Sequence, residues 1–167
     1  MDNTDSIQTQ KPPVRAGQTQ VGFYLLPRDW LAVKGIVTGE EMSMQAFLGD
    51  CVASAMEHLT GKAPAGLRQS PCRASTRRLS AVPKRSGPPS RIGKVNVMGH
   101  LPKEQVLRVN TVAAKFDIRR QDMPAIGLVL EFARRGLDFP DSARDAVGRL
   151  AKTAPGKADA ILPMAFH

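Results

Sequence analysis

KVNVMGHLPKEQVLRV, residues 94–109, decides how this chain folds. Its first half alternates. Val95, Val97, Gly99 and Leu101 take one face of a strand; Lys94, Asn96, Met98 and His100 take the other. At Pro102 the period changes. Val106, Val109, Ala113 and Phe116 recur at helical spacing. A short strand that runs straight into a helix has no hairpin partner. Its backbone N–H and C=O groups must find a second strand elsewhere.

Upstream residues supply that strand. VGFYLL, residues 21–26, is rich in branched and aromatic residues, and Pro27 after it suits the first turn of a helix. Trp30, Val33, Ile36 and Val37 keep helical spacing, weakened by Gly35 and stopping near Gly39. Ser43 is an N-cap for a second helix, with Phe47, Leu48, Cys51, Val52, Ala55 and Leu59 as its stripe and Gly61 as its stop. After residue 109 the pattern repeats. A loop, IRRQD, ends in Asp122 as N-cap, and Pro124 opens a helix with the stripe Ile126, Val129, Leu130, Ala133 and Leu137.

The order strand, proline, helix, turn, helix therefore occurs twice. Pro27 matches Pro102, Leu48-Gly49 matches Ile126-Gly127, and the second inter-helix connection is longer. The expected fold is mainly α with a short two-stranded antiparallel ribbon, the two units forming an intramolecular pseudo-dimer. Gly49 and Gly127 are expected to let the two second helices cross closely. The faces of the first strand depend on alignment. Aligned by pattern, Val21, Phe23 and Leu25 point inward and Gln20, Gly22 and Tyr24 outward. Aligned by the proline, the faces swap. The first register is preferred because it exposes Gln20 and the Tyr24 hydroxyl.

The repeats set the boundaries. Residues 1–18 form a polar arm expected to be disordered. The units are 19–61 and 94–138. Between them, residues 62–93 carry Pro64, Pro71, Pro83, Pro88 and Pro89 and no Asp or Glu, which reads as a flexible linker. Its cations are Lys62, Arg68, Arg73, Arg77, Arg78, Lys84, Arg85 and Arg91. Residues 139–167 are expected to hold a short helix over 141–152 and a loose tail.

Composition narrows the function. The 167 residues carry a formal net charge of +9, which favours a polyanionic partner. Cys51 and Cys72 lie far apart, without zinc or disulfide spacing, and suit a reducing cytoplasm. The start, MDNTDSIQTQ, lacks the apolar core of a signal peptide. No run approaches the ~18 apolar residues that a membrane span needs. His58, His100 and His167 are scattered, with no phosphate loop, metal-ligand cluster or nucleophile–base motif. An enzyme is not expected, nor a cofactor or metal.

A strand–helix–helix unit that needs a second copy to pair its strand resembles the ribbon-helix-helix family of DNA-binding proteins, the Arc/MetJ-like group. Two copies in one chain resemble the tandem form among conjugation and T-DNA transfer accessory proteins. The resemblance implies a ribbon lying in the major groove of double-stranded DNA, reading bases with its outer face. Base contacts are expected from Lys94, Asn96, Met98 and His100 on the second strand, and from Gln20 and Tyr24 on the first. Lys94 can donate to guanine, Asn96 can pair with adenine, and Met98 can touch a thymine methyl. Phosphate contacts are expected at Ser43 and Met44, at Arg119, Arg120 and Gln121, and from Arg91 in the linker. Asp122, which repels phosphate, is expected to serve its helix only.

The implied role is sequence-specific DNA binding, as a transcriptional regulator or as a relaxosome-type accessory factor at a plasmid transfer origin. Self-association on DNA and a bacterial, nucleoid- or plasmid-associated location go with it. The alternative is an antitoxin-like interaction module that binds a protein partner through the C-terminal tail.

Overall fold

The computed structural model describes residues 17–62, 64–67 and 83–162. Of the arm expected to be disordered, residues 1–16 lie outside these, whereas Gln18 is in a strand; four of the eight linker cations (Arg68, Arg73, Arg77 and Arg78), Cys72 and residues 163–167 also lie outside. The described elements are β1 (Gln18–Leu25), α1 (Pro27–Gly39), α2 (Met44–Thr60), β2 (Val95–Pro102), α3 (Lys103–Lys115), α4 (Asp122–Arg134), α5 (Arg144–Thr153) and α6 (Pro155–Asp159). A 3-10 turn, Asp141–Ala143, leads into α5. The described residues are mainly helical, with one two-stranded sheet among them.

β1 and β2 pair antiparallel, from Gln18 opposite Pro102 to Leu25 opposite Val95. Each strand thus satisfies one edge of the other. β1 starts at Gln18, earlier than side-chain pattern alone suggests, because the ladder runs on to Pro102 and backbone pairing decides its length. Val21, Phe23 and Leu25 are buried, while Gln20, Gly22 and Tyr24 face away from the core. The pattern alignment is therefore the one adopted. The inward residue Leu101 immediately precedes Pro102, whereas Leu25 is followed by Leu26, at the cap position, before Pro27. Aligning the prolines slips the strand by one residue.

Local signals set the helix ends. Pro27 opens α1, where its missing N–H costs nothing, and the Trp30 amide donates to the Leu26 carbonyl at 2.9 Å. The Ser43 hydroxyl accepts from the Ala46 amide at 3.0 Å and starts α2. Gly61 ends α2 with φ 78°, a left-handed cap open to glycine without strain. α4 ends at Arg134, and the chain turns at Gly136 (φ 69°). That turn takes Leu137 out of the expected stripe and leaves it 37% exposed, while Phe132 is buried in its place.

The core lies between the ribbon and α2 with α4. Phe47, Leu48, Ile126, Leu128 and Phe132 are among its largest buried side chains. At 25 cal/mol per Å², each contributes about 1.5–3 kcal/mol. The two helices cross at Gly127, where an added Cβ would lie 1.7 Å from the Cys51 carbonyl oxygen. Gly49 does not share that role. A Cβ added there would lie 2.8 Å from the Leu67 carbonyl oxygen, because residues 64–67 fold back onto α2 and Leu67 is completely buried.

The C-terminal segment is packed rather than loose as far as residue 162. Pro155 begins α6, and Ala158 and Ile161 are fully buried. A Pro-Gly pair reads as a breaker, yet proline also suits a first helical turn. Ser142 ties this segment to α1: its amide donates to Asp29 Oδ2 at 2.8 Å, and its hydroxyl accepts from the Leu26 amide at 2.7 Å.

Candidate nucleic-acid interface

The ribbon presents its polar face outward. Gln20 stands opposite His100, Gly22 opposite Met98, and Tyr24 opposite Asn96. Gln20, Asn96 and Met98 are exposed; Tyr24 and His100 are half-buried. Met98 lies across the ribbon over Gly22, where a Cβ would meet its sulfur. Glycine at position 22 is thus what lets a long flexible side chain cover the centre of this face.

The loop before α4 stands beside that face. Arg119, Arg120 and Gln121 line one groove together with Gln20, Tyr24 and Asn96. Met98 and Arg91 complete its walls. Asp122 sets the loop from beneath. It is buried, and its Oδ2 accepts from the Arg119 amide at 2.9 Å. Arg149 of α5 grips both its oxygens, at 2.8 and 2.7 Å. That hydrogen bond to Asp122 holds the Arg149 guanidinium above its ordinary basicity. Asp122 thus lies within the helix, not at its cap position, which Gln121 occupies. Its negative charge is compensated by Arg149.

Lys94 precedes β2 and is half-buried in the adjoining hollow with Arg91, Arg119 and Gln121. Arg91 belongs to a turn over residues 84–94, closed by Lys84 N to Lys94 O and Gly93 N to Lys84 O, both 2.9 Å. This turn seats Lys84 Nζ 5.5 Å and Arg91 Cζ 5.1 Å from the centre of the Tyr24 ring. The described end of the expected linker is therefore ordered against the ribbon.

Three expected residues stand apart from the groove. His100 sits at the other end of the face, its amide donating to Gln45 Oε1 at 2.7 Å while Gln45 Nε2 donates to its carbonyl. The Ser43 hydroxyl is committed to capping α2. Met44 is partly buried against the core. The groove itself combines amide donors and acceptors (Gln20, Asn96, Gln121), one soft apolar group (Met98) and three guanidinium groups (Arg91, Arg119, Arg120). Such a set can pair with base edges and with phosphates.

Sequence reasoning missed Arg149, Gln45 and the seating of Lys84 on Tyr24. Each acts through a partner far along the chain, so no local spacing announces it. His58 is spent structurally, its Nε2 within 2.8 Å of the Lys157 carbonyl. Among the described residues, no three His, Cys, Asp or Glu side chains converge as metal ligands. Among them too, no helix is long and apolar enough to cross a membrane. No family model, curated protein or solved structure matches this chain.

Proposed function

We propose that the chain is a non-enzymatic, sequence-specific double-stranded DNA-binding protein, with two ribbon-helix-helix units forming a pseudo-dimer within one molecule. The observation that carries this reading is the outer face of the ribbon. Gln20 and Asn96 project from a two-stranded antiparallel ribbon, a kind of element the major groove admits, and Arg119 and Arg120 line the same groove. The net charge of +9 supplies the salt-dependent attraction to the phosphate backbone.

The two strands differ at every outward pair, so the preferred site is asymmetric rather than palindromic. Regulation of transcription and action at a transfer origin use the same face. The antitoxin-like alternative relies on a free C-terminal tail. Residues 141–162 fold onto the core, so that reading has less to support it.

The test is capture of fragmented source-cell DNA by the purified protein at physiological salt, followed by sequencing. Sharp peaks support the proposal, and their position at promoters or at a transfer origin distinguishes the two roles. A featureless profile lost with modest added salt overturns it.

A further inference from the structure

We propose that the turn over residues 84–94 is a second phosphate clamp, and that Tyr24 is its positioning residue rather than a base reader. The inference rests on the DNA-binding reading above. It arises from a conflict on the outer face. Tyr24 occupies an outward position opposite Asn96, where a base-contacting side chain is expected. Yet its ring is already engaged by two cations, Lys84 Nζ at 5.5 Å and Arg91 Cζ at 5.1 Å. A ring holding cations on its surface is not available to stack on or slide along a base edge. What it does is bring two positive charges to the end of the ribbon.

The turn is built to stay there. Besides the two bonds that close it, the Arg91 amide donates to the Pro88 carbonyl at 2.8 Å. Lys84 and Arg91 have no carboxylate partner in an ion pair among the described residues, unlike Arg149 and Arg135. Arg91 lines one groove with Arg119 and Arg120, and Gln20 and Asn96 line it too, so the turn and the α4 loop both bring cations beside the outward polar side chains of the ribbon. The adjoining hollow holds two acids, Asp122, which is paired with Arg149, and Asp145. The partner this geometry suits is the sugar-phosphate backbone of a duplex, one strand of which runs along these cations while the ribbon meets the bases.

The experiment is the slope of log affinity against log salt on the preferred duplex, with melting curves as the folding check. Each phosphate contact contributes about 0.9 to that slope, or about a 3.5-fold loss of affinity between about 50 and about 200 mM salt. Lys84→Ala with Arg91→Ala should lower the slope by about 1.8 and cut the salt response about twelvefold. Tyr24→Ala should lower the slope in the same direction, and should add little to the double variant. Tyr24→Phe, which keeps the ring, should restore the slope. An unchanged slope in the exposed Lys84/Arg91 variant overturns the clamp. A slope lost in Tyr24→Phe overturns the positioning role, because the hydroxyl would then be the contact. A wild-type protein that binds no duplex removes the DNA reading itself, a result distinct from either.

Discussion

Gly127→Ala should destabilise the protein, against the usual preference of helices for alanine. The added methyl would lie 1.7 Å from the Cys51 oxygen and 2.3 Å from its carbonyl carbon. Both are backbone atoms, so no side chain can rotate aside. Real Cβ atoms stay beyond 3.0 Å, and the helices must separate by about 1.3 Å. Helix propensity favours the alanine by about 1 kcal/mol. Overpacking costs about 1–3 kcal/mol, more where backbone must move, and separation also loosens the packing of α2 against α4. The net is a loss of about 2 kcal/mol, or about 4–8 °C in Tm for a chain of this size. Gly35→Ala and Gly148→Ala are the controls. Nothing lies within 4 Å of either added Cβ, so both should gain about 0.5–1 kcal/mol. Thermal unfolding followed by circular dichroism reads all three. If Gly127→Ala stabilises as the controls do, α2 and α4 do not cross there.

The remaining predictions concern charge and the C-terminal segment. Arg135 joins Glu40, at 2.6 and 2.8 Å, to buried Glu131, at 2.5 Å, and Glu131 also accepts from Ser54 at 2.5 Å. The Arg135 hydrogen bond holds the Glu40 carboxyl below its ordinary range; burial raises that of Glu131, but Ser54, Arg135 and Arg134 outweigh it and hold it low. Carboxyls depressed in the folded state bind fewer protons there, so their contribution is complete above the ordinary value of 4.5 and is lost as pH falls below it. Tm should drop steeply below about pH 4.5, and Glu131→Gln should flatten that drop. Arg135→Ala, which leaves buried Glu131 to Ser54 and Arg134, should cost about 1–3 kcal/mol in denaturant unfolding. Ile161→Ala should cost about 2–5 kcal/mol, a loss that a loose tail would not produce.

Much of the fold was legible because local signals and long-range packing agree. The alternation over residues 95–101 describes the observed faces, with Val95, Val97, Gly99 and Leu101 buried. Ser43 and Gly61 bound α2 as their chemistry requires. The first strand was legible only through its pattern, since Pro27 opens its helix one residue later than Pro102 suggests. What stayed hidden depends on partners distant in sequence. Leu67 looked like linker and is core, because α2 exposes Gly49 to receive it. Asp29, in the first turn of α1, is buried on Ser142, a partner far along the chain. At the site, the outward faces and Arg119–Gln121 were readable from period and charge. That Arg91 sits on Tyr24, and that Gln45 claims His100, were not.

The central claim is that the outer face of the ribbon reads bases while its flanks hold phosphates. The most direct measurement compares Asn96→Ala with Arg119→Ala, each titrated on the preferred duplex and on random duplex by fluorescence anisotropy. Asn96 is exposed on that face, and Arg119 on the adjoining loop. Asn96→Ala should weaken the preferred duplex by about 1–3 kcal/mol and leave random duplex nearly unchanged. Arg119→Ala should weaken both about equally and lower the salt slope by about 1. If Asn96→Ala weakens both duplexes alike, the ribbon does not read sequence and the account is wrong.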